Sequence, residues 1–170
     1  MFRLYLVIAT SVFVVGCGSK PDAAPIDPLP IDLLKSFKSV FEAVIPRANS
    51  VSDEIREVDK STWLKIRNRY ADATYDVKKT DSLVSPFTAK ITCTRTHFRT
   101  NEYATEAEAK AAMDLDVVDA DSHEFNYALR EGAWVLMSYS ICYSNGRTFN
   151  AKVDGRKSDE LDAVTRAFMP

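Results

Sequence analysis

The residues of this chain best suited to chemistry are its two histidines and two internal cysteines. Cys93 and His97 are four apart, which on a strand puts them on one face but roughly 13 Å from each other, too far to act as a pair. The set Cys93, His97, His123 and Cys142 also lacks the spacing of a zinc site. There is no Gly-x-Ser-x-Gly elbow and no phosphate-binding glycine loop. The sequence therefore predicts no catalytic residue, metal site or cofactor, and favours a protein that is not an enzyme.

A short acidic run is the best remaining candidate for a cation site. Hard cations prefer several oxygen ligands, which carboxylates supply. The run lacks the glycine and the alternate spacing of a calcium-binding loop, so we expect a solvated loop over residues 114–121. The acidic side chains are Asp114, Asp116, Asp119, Asp121 and Glu124.

Aromatic residues leave two interpretations open. They could line a cavity for a small apolar ligand in a curved sheet. Equally, they could fill a core between two layers, which we favour. The side chains concerned are Trp63, Tyr70, Tyr75, Tyr103, Tyr127, Trp134, Tyr139 and Tyr143.

The N-terminus has the pattern of a secretory signal. Arg3 precedes an apolar run over residues 4–15, interrupted by Thr10-Ser11. A membrane-spanning helix needs about 20 apolar residues, so this run is too short to span well. The pattern predicts a cleaved signal peptide.

The end of that run, Val14-Val15-Gly16-Cys17, resembles the lipobox of bacterial lipoproteins. The resemblance implies that residues 1–16 are removed and that Cys17 becomes the lipidated N-terminus. Two or more acyl chains hold a protein stably on a membrane. Gly18 follows in place of the aspartate that favours the inner membrane in Gram-negative bacteria. The family rule therefore implies the outer membrane, with the protein facing the periplasm.

Lipidation of Cys17 leaves Cys93 and Cys142 as the internal pair. In an oxidising compartment they predict a disulfide, which would close a loop of about 50 residues and contribute roughly 4 kcal/mol. Strand alternation, however, puts Cys93 on the same face as Ile91, and puts Cys142 on the face away from Ile141. If Ile91 and Ile141 face one core, the two thiols point to opposite sides of the sheet. The bond then requires a bulge, or a core on the other face. The alternative is two separate buried thiols.

The mature chain divides into a tether and one domain. Residues 17–30 are rich in proline and predict an extended linker, and residues 31–170 predict a single α+β domain. The formal net charge of −2, without a basic block, argues against nucleic-acid binding. Periodicity predicts helices over 31–45, 52–60, 104–113 and 159–168, and strands over 73–77, 87–99, 124–130, 133–143 and 147–153, with residues 63–70 undecided. Thr105 and Glu108 have capping-box spacing at the start of the third helix. Alternation puts Phe125 and Tyr127 on one face of their strand, and every second residue from Val135 to Tyr143 on one face of the next.

This order predicts an N-terminal helix packed on a curved antiparallel meander sheet of about four strands. Cystatin-like and nuclear-transport-factor-like folds have a similar element order, which says little about activity. The resulting hypothesis is a lipid-anchored envelope protein with a non-catalytic binding or scaffolding role and an envelope protein as partner. The alternatives are a carrier of a small apolar ligand in the sheet's cavity, or an envelope enzyme.

Overall fold

Six antiparallel strands form one curled sheet in which every strand pairs with its neighbour in sequence. The computed structural model describes residues 29–156 and 162–170. The predicted signal peptide, Cys17 and nearly all of the tether lie outside the described residues. None of the described helices is long and apolar enough to cross a membrane.

The sheet and its helices confirm an α+β fold with a curved sheet, but the expectation of about four strands is wrong. The strands are β1 (Glu54–Asp59), β2 (Thr62–Lys79), β3 (Phe87–Arg99), β4 (Asp116–Arg130), β5 (Ala133–Cys142) and β6 (Thr148–Lys152), and the helices are α1 (Ile31–Asn49), α2 (Glu106–Ala111) and α3 (Ala163–Ala167). One unpredicted strand, β1, comes from the segment misassigned as a helix, the undecided residues 63–70 lengthen β2, and the final strand predicted over residues 147–153 joins the sheet as β6.

Helix α1 is longer than predicted, because Pro46 lies inside it and does not end it. Its apolar stripe packs on the sheet, with Phe37 and Val44 fully buried. The last turn is held by tertiary contacts: the Asn49 amide donates to the Tyr70 carbonyl (2.9 Å) and accepts from the Tyr70 N–H (2.8 Å). These bonds offset the helix hydrogen bond that proline cannot make.

The helix predicted over residues 52–60 is wrong, because this segment forms the edge strand β1. Its narrow apolar face has little to pack against, and Val58 remains 45% exposed. Pairing with β2, from Glu54 opposite Ile66 to Asp59 opposite Thr62, satisfies the backbone polar groups along one side of the segment. Residues 63–70, left undecided by periodicity, begin β2.

Two β-bulges change which residues face the core. In β2 the register with β3 shifts between Ala71 and Thr74, where Asp72 has a φ of 51°. In β5 the register shifts at Met137, because Asn126 pairs with Ser138 whereas Tyr127 pairs with Leu136. A bulge inserts one residue and reverses the alternation beyond it.

The β5 bulge corrects the predicted faces of that strand. Trp134 and Leu136 point to the core before the bulge, and Ile141 is buried after it. The expectation that one face runs unbroken from Val135 to Tyr143 is therefore wrong in its first half.

The core lies between helices α1 and α3 and one face of the sheet, called here the inner face, which carries Ile91 and Phe125. The Phe37 ring meets the rings of Tyr127 and Trp134 with centroids 5.3 and 4.8 Å apart. Phe125 stacks on Phe168 of the C-terminal segment at 3.6 Å. Much of the inner face is therefore filled with aromatic side chains.

The predicted disulfide is not formed, and both cysteines are free thiols. Cys93 is buried on the inner face of β3, opposite His123 of β4. Cys142 is exposed at the end of β5, opposite Ser122. The β5 bulge at Met137 does not bring Cys142 to the inner face, because after it Ile141 faces the core and Cys142 faces outward. The two thiols thus lie two strands apart and on opposite faces.

Helix α2 confirms the predicted capping box. The Thr105 hydroxyl accepts from the Glu108 N–H (3.2 Å), and the Glu108 carboxylate accepts from the Thr105 N–H (3.1 Å). Ala109 is fully buried, and the Lys65 ammonium of β2 donates to the Ala112 carbonyl just after the helix. These contacts hold α2 against β2.

Candidate functional site

A cavity of about 330 Å³ opens on the inner face, towards the end at which β2 begins and β3 ends. We call it the inner cavity. Strands β1 to β5 and the residues around the start of α3 form its walls, and Tyr139 and Tyr143 contribute aromatic surface. Its central polar side chains are Asn68, Arg95, His97, Asp119, Asp121 and His123.

The register of β2, β3 and β4 explains why these polar groups lie together. Directly opposed residues have Cα atoms about 5 Å apart, and alternate residues of one strand lie about 7 Å apart on the same face. The inner face therefore presents three successive rows. The rows Asn68–His97–Asp119 and Tyr70–Arg95–Asp121 cross β2, β3 and β4, whereas the row Cys93–His123–Ile141 crosses β3, β4 and β5 and ends in an apolar residue.

A buried ion pair occupies the middle row. Arg95 donates from Nη2 to the carboxylate of Asp121, whose side chain is 1% exposed. The Ser144 N–H gives Asp121 a long second contact (3.4 Å). The Nε–H of Arg95 is also buried but has no partner among the described residues. One guanidinium donor therefore remains available next to the cavity.

His123 is the most unusual residue of the cavity. It is 2% exposed, and neither ring nitrogen has a hydrogen-bond partner within the described ranges. Its ring stands perpendicular to that of Tyr70 (5.7 Å) and roughly parallel to that of Phe125 (6.0 Å). Burial, assisted by the positive charge of Arg95, lowers the pKa of His123 to about 4. At neutral pH the ring is therefore uncharged, with one donor and one acceptor nitrogen.

The outer row places His97 between Asn68 and Asp119. His97 Nδ1 lies 3.1 Å from Oδ1 of Asn68, which fits a ring that donates from Nδ1 to the amide oxygen. Burial lowers the pKa of His97. Oδ1 of Asp119 is buried and, among the residues described, has no donor. Asp119 thus presents a free acceptor in the wall of the cavity that Arg95 also lines.

The cavity offers hydrogen bonds and no activated nucleophile among its described residues. Burial raises the pKa of Cys93 to about 12, so its sulfur remains a thiol. His97 points its Nδ1 at an amide oxygen, and the Thr165 hydroxyl donates to Asp162 (2.9 Å) and not to a histidine. An acid–base pair that activates a hydroxyl or thiol is therefore not present in this part of the chain.

The acidic run is dispersed by the fold. Glu124 faces outward and pairs with Lys90 (3.2 Å), and Asp114 accepts from the Tyr103 hydroxyl (2.6 Å). Only Asp119 and Asp121 reach the inner cavity. No group of three or more His, Cys, Asp or Glu within residues 29–156 and 162–170 is arranged to hold a metal ion.

The solvated loop predicted over residues 114–121 is wrong from Asp116 onward, because β4 begins there. The site was missed for the same reason. Phe125 and Tyr127 were predicted to share one face of a strand, and stepping back by two residues from Phe125 reaches His123, Asp121 and Asp119. That alternation indicated that the strand continues through the acidic run, but the high charge of the run led to the prediction of a solvated loop.

No protein-family model matches this chain, and comparison with curated proteins and with solved structures found no match. We therefore argue function from the geometry of the inner cavity.

Proposed function

We propose that this chain is a non-catalytic binding protein of the bacterial envelope that holds a small polar ligand in the inner cavity. It is anchored through lipidated Cys17, on the outer membrane and facing the periplasm, as the lipobox resemblance implies. The supporting observation is that residues lining the inner cavity carry four buried polar atoms without a partner among the described residues: both ring nitrogens of His123, Nε of Arg95 and Oδ1 of Asp119. A buried polar group left unpaired costs about 1–3 kcal/mol, so a ligand that pairs several of them gains that free energy.

The cavity favours this proposal over a carrier of an apolar ligand. An apolar molecule would leave the free atoms of His123, Arg95 and Asp119 unpaired and would add to their desolvation. The aromatic residues that suggested an apolar cavity are mostly used elsewhere, since Tyr127 and Trp134 pack against Phe37 in the core. We also propose an envelope protein as partner, for which the predicted lipid anchor is the only support. The cystatin-like or nuclear-transport-factor-like fold is likewise a proposal, and only the order of the helices and strands supports it.

Thermal unfolding in the presence of a library of small polar metabolites tests the proposal. His123→Phe removes both free nitrogens and retains a ring between Tyr70 and Phe125. Asp76→Asn is the matched control, because Asp76 lies outside the inner cavity, where it pairs with Lys78 (3.1 Å). A ligand at 100 times its Kd stabilises the folded state by about 2.7 kcal/mol, which raises Tm by several degrees.

We expect at least one compound to raise Tm of the wild-type protein and of Asp76→Asn, but not of His123→Phe. If no compound raises Tm, or if the shift is the same in all three proteins, the inner cavity is not a binding site. Release of a chemically altered product by the wild-type protein alone would instead indicate an enzyme.

A further inference from the structure

The charge around the inner cavity argues against an anionic ligand. Arg95 is neutralised by Asp121, and Arg56 by Glu54 at 2.8 Å. Asp119 and Asp162 then remain without a cationic partner in the described part of the chain. With both histidines uncharged, the wall is negative, and an anion placed beside Asp119 would be repelled at short range.

The free donors argue equally against a cation. An ammonium group can only donate, so it could pair with Asp119 but not with Nε–H of Arg95 or with the N–H of neutral His123. It would also stand close to the guanidinium charge of Arg95. A cationic ligand would therefore leave two buried donors unpaired.

The four free positions are evenly divided between the two kinds of hydrogen-bonding group. Arg95 Nε–H and one nitrogen of His123 donate, whereas Asp119 Oδ1 and the other nitrogen of His123 accept. A hydroxyl group both donates and accepts, so neighbouring hydroxyls on one ring suit this mixture of donors and acceptors. Tyr139 and Tyr143, which also line the cavity, provide apolar surface for the carbon face of such a ring.

We propose that the inner cavity binds an uncharged polyhydroxylated ligand, of the size of one sugar ring, through Asp119, Arg95 and His123. This inference rests on the proposed binding function and names its ligand class. The volume of about 330 Å³ lies near the lower end of the range for ligand pockets, which suits one ring better than a longer chain. His123 gives the strongest support for a ligand site, since it is 98% buried and its polar atoms have no described protein partner.

The test titrates the full processed lipoprotein, held in polyoxyethylene detergent micelles, with three probes. A glycoside detergent would compete with a sugar, and a choline-headed detergent would compete with the cationic probe. The probes are N-acetylglucosamine (uncharged), choline (cationic) and glucose 6-phosphate (anionic). Binding is followed by calorimetry and by saturation transfer to the ligand, in wild type, Asp119→Ala, His123→Phe and the control Asp76→Asn.

We expect N-acetylglucosamine to bind wild type and Asp76→Asn, and to bind Asp119→Ala and His123→Phe about tenfold or more weakly, as befits a lost hydrogen bond to a charged or buried group. Asp119→Ala, at a half-buried position, keeps the test valid if His123→Phe folds poorly. Sugar binding that neither variant weakens would place the ligand elsewhere and overturn the inference.

The remaining outcomes separate this inference from the proposed function. If choline or glucose 6-phosphate binds in a manner sensitive to Asp119→Ala and the sugar does not, the protein is a binding protein but its ligand class is wrong. The same holds if none of the probes binds but a charged metabolite from the library does, whereas binding of an uncharged polyhydroxylated metabolite that is sensitive to Asp119→Ala supports the inference. If neither probes nor library bind, both proposals fail.

Discussion

Two tyrosines on the inner face differ in whether the hydroxyl has a partner. Tyr127 donates to the Phe168 carbonyl at 2.8 Å, which ties the C-terminal segment to β4, whereas the buried hydroxyl of Tyr70 has no described partner. We expect Tyr127→Phe to lower the free energy of unfolding by about 1–2 kcal/mol, because a buried carbonyl loses its donor. Tyr70→Phe should be neutral or stabilising by up to about 1 kcal/mol, since it removes an unpaired polar atom. Urea unfolding of both variants is the measurement, and equal losses would contradict it.

His123 should make stability depend on pH in the mildly acidic range. Its pKa is about 4 in the folded protein against an ordinary value of 6.5, so the unfolded chain binds more protons between these values. Stability is then full above about pH 6.5 and falls as pH decreases towards 4, with a loss of about 2 kcal/mol between pH 7 and pH 5. Burial is the main cause of this shift, Arg95 lowers the pKa of His123 further, and Asp121 and Asp162 partly oppose it. Burial also lowers the pKa of His97, which therefore contributes in the same direction.

Urea unfolding at pH 7, 6 and 5 measures this dependence. His123→Phe should show a clearly flatter profile than wild type, and Asp76→Asn should retain the wild-type slope. A variant profile as steep as that of wild type would mean that His123 is not buried in the neutral form.

At the scale of elements, the last turn of α1 should depend on Asn49 more than on helix propensity. Its amide makes two hydrogen bonds to the backbone of Tyr70, close to the β2 bulge. Asn49→Ala leaves a backbone donor and acceptor unpaired, so we expect a loss of about 1–3 kcal/mol in the free energy of unfolding. Ser39→Ala, on the exposed face of the same helix, is the control and should be near neutral. Equal effects of the two substitutions would show that the turn is held by other contacts.

The elements that the sequence predicts well are those with a strong local signal. Strand β3 has the predicted bounds because it is rich in β-branched residues and follows a clear turn. Helix α2 begins at its predicted capping box. Residues 52–60 were wrongly predicted as a helix because the spacing of Val51, Ile55 and Val58 suits one. The segment forms a strand because it pairs with the free edge of β2. The spacing of apolar residues within a segment gives no information about such a pairing partner.

At the scale of the whole molecule, the helix-on-sheet layout was predictable and the cavity was not. The layout follows from element order, which each segment signals by itself. The cavity depends on the register of three strands, and on the placement of Asn68, His97 and Asp119 in one row although they are distant in sequence. Bulges also decide which residues face inward, as Met137 does for β5. Register is a property of the assembled sheet, so single-sequence patterns specify it weakly.

The anchor gives the prediction that concerns the molecule as a whole. Cys17→Ser removes the thiol to which the lipobox resemblance attaches the lipid, and two or more acyl chains are what hold such a protein on a membrane. We expect the wild-type protein to incorporate labelled palmitate and to sediment with membranes, and the variant to do neither. Because Cys17 lies well before α1, the variant should keep the wild-type Tm and the ligand-induced Tm shift, which serve as its folding control. A variant that still takes up label, or that still sediments with membranes while retaining its Tm, would show that attachment does not depend on Cys17.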